Sequence, residues 1–110
     1  MDRAVIAFDG HDLFTLRDKD GQRSIRDRSL PAIHQLNQFW ERHQPVSIRV
    51  LGDSHQQRMK LEVNGTVLLE TLPGDTQGEN PRVVANRWAN ALRVAFAAGG
   101  EASAFQSGRH

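Results

Sequence analysis

The sequence predicts an α+β two-layer sandwich: a five-stranded, mainly antiparallel sheet with two helices on one face, in the order ββαβββα. Three observations carry that expectation. Two tight-turn dipeptides, Asp9-Gly10 and Asn64-Gly65, each separate short apolar or β-branched runs. Two further segments repeat their apolar residues at three- and four-residue spacing. A chain of 110 residues has room for one core.

The first run, Arg3 to Phe8 (RAVIAF), and the second, Asp12 to Arg17 (DLFTLR), read as strands over about 3–8 and 11–17. A type I′ turn needs positive φ at both central residues, which Asp tolerates and Gly adopts freely. The polar stretch Asp18 to Arg28 (DKDGQRSIRDR) reads as a loop. Leu30, Ile33, Leu36 and Trp40, with Phe39 alongside, then mark one face of a helix over about 30–43 that stops before Pro45. Two starts compete. Ser24 with Asp27 resembles a capping box, whereas Ser29 as N-cap leaves Pro31 in the first turn, where its missing N–H costs nothing; the second start is the one expected.

Val46, Ile48 and Val50 alternate with Ser47, Arg49 and Leu51, and Met59, Leu61 and Val63 alternate with Lys60 and Glu62, so both runs read as half-buried strands. Gly52 to Arg58 links them, and Asn64-Gly65 turns the chain into a strand over 66–72, making 46–72 a three-stranded meander. Pro73 to Glu79 is turn-rich. Asn80 as N-cap with Pro81 at the first helical position opens a helix whose stripe is Val84, Trp88, Ala91, Leu92, Ala95 and Phe96, ended by Gly99-Gly100. Ile33, Trp40, Trp88 and Leu92 are the expected core, residues 1–98 the domain, and 99–110 a flexible tail.

The turns Asp9-Gly10 and Asn64-Gly65 lie 55 residues apart, and the same offset brings Leu13 onto Leu68 and Phe14 onto Leu69. A duplicated ββα unit with one extra strand (46–51) between the copies accounts for the order. The sheet face opposite the helices, bearing Arg49, Lys60 and Glu62, is expected to be polar and open to a partner.

Composition narrows the function classes. A formal net charge of +1 with 25% charged residues is no polyanion magnet, and the absence of cysteine removes disulfides, thiolate metal sites and a cysteine nucleophile. His11, His34, His43, His55 and His110 never fall at metal-pair spacing, so no metal or other cofactor is expected. The loop acids Asp18, Asp20 and Asp27 do not make a calcium loop, because the required register puts Leu16 at the first ligand position. No nucleophile elbow, Walker loop or dinucleotide fingerprint occurs, so an enzyme is not expected. Arg17, Lys19, Arg23, Arg26 and Arg28 form the densest basic segment, tempered by those three acids. With Arg82, Arg87 and Arg93 of the second helix, they support an alternative reading as a small regulatory nucleic-acid-binding protein. No apolar run is long enough for a membrane span, and no leader pattern precedes the first strand.

The order FDGHDLFTLR, polar loop, helix, PVSIRV, LEVNGTVLLETL and NRWANALRVAF resembles the small N-terminal extramembrane domain of cyanobacterial mechanosensitive ion channel family and related envelope proteins. Asp9-Gly10 with Leu13-Phe14, Pro45-Val46, Val63-Asn64-Gly65 with Leu68-Leu69, and Arg87-Trp88-Ala89 with Leu92 carry the resemblance across about residues 4–97. It implies a non-catalytic accessory or interaction module. The implied location is the periplasm or envelope if a leader has been removed, and the cytoplasm otherwise. The expected contacts are with another protein or a second copy through a sheet edge, or through a surface bearing Arg49, Lys60, Glu62, Arg23, Arg26 and Arg28.

Overall fold

The computed structural model describes residues 3–52, 58–99 and 103–108. Its elements are β1 (Ala4–Phe8), β2 (His11–Leu16), α1 (Ile25–Glu41), β3 (Ile48–Leu51), β4 (Lys60–Val63), β5 (Thr66–Glu70), a single turn α2 (Pro73–Thr76), α3 (Pro81–Ala98) and β6 (Phe105–Ser107). The class is α+β, but the expected single five-stranded sheet is replaced by two antiparallel sheets of three strands, ordered β2-β1-β6 and β3-β4-β5. Hairpins are local and readable; which hairpin a third strand joins is decided by the core. Most of the 52–58 connection and parts of the 99–110 tail lie outside the described residues.

The two sheets follow one pairing scheme. In the first hairpin Val5, Ile6, Ala7 and Phe8 face Thr15, Phe14, Asp12 and His11, with a register shift between Ile6 and Ala7. In the second, Lys60, Leu61, Glu62 and Val63 face Glu70, Leu69, Val67 and Thr66, with the shift between Leu61 and Glu62. Every one of these positions, the bulge included, recurs at the 55-residue offset. The turn residues Asp9 and Gly10 have φ of 53° and 80°, and Asn64 and Gly65 have φ of 52° and 84°. The third strand of each sheet comes from the other half of the chain: β3 pairs with β4, and β6 pairs with β1. The repeating unit is therefore ββαβ, and the strand read as extra is its fourth element. Phe105–Ser107, assigned to the flexible tail by its small polar composition, is the counterpart of β3, with Phe105 fully buried.

Both helices bridge the sheets. α1 contacts β1 and β6 and reaches β5, while α3 contacts β3 and β4 and reaches β2. One continuous core results, including Ile6, Leu16, Leu36, Leu61, Val63 and Leu92. Trp88 is buried and stacks on Phe14 at 5.0 Å. Trp40 lies nearer the rim than expected: half-buried, it meets Phe8 edge-on at 5.3 Å, and Phe39 takes the deeper position. Leu30, read as part of the stripe, is 42% exposed, because the buried face of α1 runs through Ser29, Ala32, Ile33, Leu36 and Phe39. Gly99 ends α3 with an extended backbone, and its lack of a side chain matters for packing: a Cβ there would stand 2.6 Å from Phe8 Cζ.

The start of α1 corrects the Ser29 expectation. Ser24 Oγ accepts from Asp27 N at 3.1 Å and Asp27 Oδ2 accepts from Ser24 N at 3.4 Å, a reciprocal capping box. Pro31 then sits inside the helix and leaves Asp27 O without its usual donor. Arg23 supplies one, its Nη2 donating to Asp27 O at 3.2 Å.

The loop before α1 is held by a buried ion pair. Arg28 Nη2 donates to Asp75 Oδ2 at 2.8 Å and Nη1 to Oδ1 at 3.2 Å, with both side chains shielded from water. Oδ1 also accepts from Arg17 N (2.7 Å) and Asp18 N (3.0 Å), and Oδ2 from Leu72 N (3.0 Å). Arg28 further donates to Asp18 O and to Glu70 O. Arg17 and Leu72 are equivalent positions of the two halves, so one carboxylate gathers the ends of both hairpins.

Removing one partner strands the other charge in the interior, so Arg28→Ala or Asp75→Ala is expected to cost about 3–5 kcal/mol in urea unfolding. A loss below about 1 kcal/mol would show that the pair is not holding the loop. Gly65→Val is expected to lower stability by roughly 1 kcal/mol or more, because a β-branched residue resists positive φ.

Candidate interaction surface

Alternation along the second sheet sends Ile48, Leu61, Val63 and Leu69 into the core and Arg49, Lys60 and Glu62 to the opposite face. Arg49 stands directly across from Glu62, 3.7 Å away, with the arginine mostly exposed. Lys60 lies between Leu51 and Glu70 and has no polar partner among the described residues. Val67, facing Glu62 from the other side, is 45% exposed. At the end of this face Arg58 reaches Asp20 at 3.2 Å and Glu70 at 3.3 Å, tying the sheet to the loop before α1. The charge of Asp20, ahead of its hydrogen bond, raises the arginine's pKa further.

The loop arginines do not form one surface. Arg28 is buried on Asp75 and is withdrawn from the expected contact set. A helical position facing the turn around Asp75 gives it a partner that its basic sequence neighbourhood conceals. Arg23 is exposed but donates to Asp27 O, whereas the exposed Arg26 guanidinium has no partner among the described residues. The basic side of α3 is similarly committed. Arg82 donates to Gly52 O at 2.8 Å and Arg93 to Ile48 O at 2.7 Å. Arg87 grips Glu79 at 2.8 and 3.1 Å, and that hydrogen bonding, then the arginine's charge, holds the Glu79 carboxyl below its ordinary range. A depressed acid stabilises the fold above its unfolded pKa and loses that contribution as pH falls through the lower folded value; at this solvent-open pair the effect on melting is small.

Several of the arginines act at strand edges. Ser47 O accepts from Asn64 N, so the alternating pattern turns the main-chain groups of Ile48 and Gly52 away from β4, where Arg93 and Arg82 meet their carbonyls. Thr71 N donates to Met59 O, which turns Glu70 O outward to Arg28. At β6, Asn37 Nδ2 donates to Phe105 O at 2.9 Å and its Oδ1 accepts from Phe105 N at 2.7 Å, so one side-chain amide completes both outward groups. Asn37 and Arg93 thus serve equivalent residues of the two edge strands, Phe105 and Ile48. Neither Asn37 nor Asp75 belongs to a motif in the sequence; a polar amide on a helix stripe is the one local signal for Asn37.

No three metal-capable side chains converge among the described residues, and no helix is long and apolar enough to cross a membrane. Asn37→Ala is expected to cost about 1–3 kcal/mol and to speed hydrogen exchange at Phe105. Unchanged exchange there would assign the anchoring of β6 to its ring packing instead.

No curated protein and no solved structure matches this chain. A family model described as "Domain of unknown function (DUF8459)" matches residues 4–99, from the start of β1 to the end of α3, and the chain belongs to that family.

Proposed function

We propose that this protein is a non-catalytic interaction module, of the kind implied by its resemblance to the extramembrane domain of cyanobacterial mechanosensitive-channel-like envelope proteins. It docks a partner protein on the open face of the β3-β4-β5 sheet. The observation that carries this reading is the contrast between that face and its borders. The face presents Arg49, unpaired Lys60 and exposed Val67 in strand register, while Arg93, Arg82 and Arg28 occupy carbonyls along the flanking edges. An apolar side chain ringed by charges suits a contact with a polar rim. Edge addition, the other route expected from the sequence, would have to displace those guanidinium groups. The nucleic-acid alternative draws no support from the arginines, most of which already have intramolecular acceptors.

A photo-crosslinking residue at position 67, compared with one at exposed Ala97 on α3, tests the assignment in native cells. The expected result is one protein captured from position 67 only. The purified partner should bind a Lys60→Glu, Val67→Glu variant at least about tenfold more weakly than the unmodified chain, with melting unchanged because both side chains are exposed. Equal binding by that variant would remove the face from consideration.

A further inference from the structure

β6 is closed at one residue and open two residues later. Ala104 O accepts from Asp9 N, and Gly108 N donates to Val5 O, so the alternation directs the main-chain groups of Phe105 and Ser107 away from β1. Asn37 satisfies Phe105. Ser107 is exposed, and its outward N–H and C=O have no partner among the described residues. This open position forms one wall of a half-open cleft of about 450 Å³, whose other walls are the start of β1 and the first turns of α1. Two arginines, Arg3 and Arg26, line it, no carboxylate does, and neither guanidinium has a hydrogen bond or ion pair among the described residues. Leu30, 42% exposed, contributes an apolar wall.

We propose that this cleft takes an extended acidic segment of a partner protein. The segment adds alongside β6 at Ser107, sets carboxylates on Arg3 and Arg26, and rests an apolar side chain on Leu30. Charge complementarity selects the sign of the ligand, and the free strand edge selects its shape. A small free anion would use the guanidinium groups but neither Ser107 nor Leu30. A nucleic-acid strand would find no aromatic side chain in the lining on which to stack. This contact is separate from the β3-β4-β5 face, so either can fail without the other.

A fluorescein-labelled peptide of alternating Glu and Val, titrated with the full chain at low salt, is the direct test by anisotropy. Saturable binding that weakens with salt is expected, about tenfold weaker for Arg26→Gln and lost for the Arg3→Glu, Arg26→Glu double variant. Ser107→Pro, which removes the outward N–H from an edge position, should also weaken binding, whereas Lys60→Glu, Val67→Glu should leave it intact. Both arginines are exposed and uncommitted, so unchanged melting curves will show the variants folded. The proposal is overturned by no saturable binding, by equal affinity of the double arginine variant, or by inorganic phosphate displacing the peptide as well as unlabelled peptide does.

Discussion

The Asp75 carboxylate is the point on which the rest of the architecture depends. It accepts from Arg17 N, Asp18 N, Leu72 N and both terminal nitrogens of Arg28, so its charge is compensated by directed donors although no water reaches it. Isolated in the interior, either ion would cost several kcal/mol in desolvation. Together they fasten three elements at one point: the exit of β2, the exit of β5 and the first turns of α1. Arg28 also reaches Glu70 O, so the contact that anchors the loop closes part of the β5 edge. The charge pair positions elements whose burial supplies most of the stability.

What the sequence made legible follows from the range of the interactions involved. Asp9-Gly10 and Asn64-Gly65 are local constraints on φ, and α3 carries its own start in Asn80-Pro81, so turns and helix could be placed from neighbouring residues alone. The start of α1 depended on a competition that pattern reading decides the wrong way. Pro31 argues against a helix beginning at Ser24 unless something else bonds Asp27 O, and that donor is the Arg23 side chain, whose reach no periodicity reveals. β6 was invisible for a different reason. A single Phe in a small polar stretch has no alternating partner, and it becomes a strand because Phe8 and Asn37, far away in the chain, and Phe96 on the preceding helix receive it. Its basic sequence neighbourhood places Arg28 on the surface, whereas its partner lies 47 residues away.

Few residue identities match across the 55-residue offset, and the registers explain why. What repeats is backbone geometry: the two positive-φ residues, the bulge two residues before each turn, and the edge residue met by a helix side chain. Such features constrain few side chains. Asn37 and Arg93 share a task but not a chemistry, since an amide can satisfy both an N–H and a C=O whereas a guanidinium satisfies only the carbonyl. Equivalent outer positions diverge further: Val5 and Ala7 on β1 correspond to Lys60 and Glu62 on β4, so one sheet turns a buried apolar pair outward and the other a charged one.

That divergence separates the two surfaces available to partners. Because each half lends its last strand to the other, neither sheet is complete alone, and unpaired edges would be a standing invitation to other chains. Helix-borne side chains at Ile48, Gly52, Glu70 and Phe105 answer that exposure one residue at a time and leave the sheet faces free to differ. The second sheet keeps a flat charged face around Val67. The first has covered β1, and its β6 edge is open where Asn37 stops short of Ser107. Arg3 and Arg26 line that gap with no carboxylate beside them in the lining, so the near-neutral net charge conceals a locally cationic groove at an uncapped strand position.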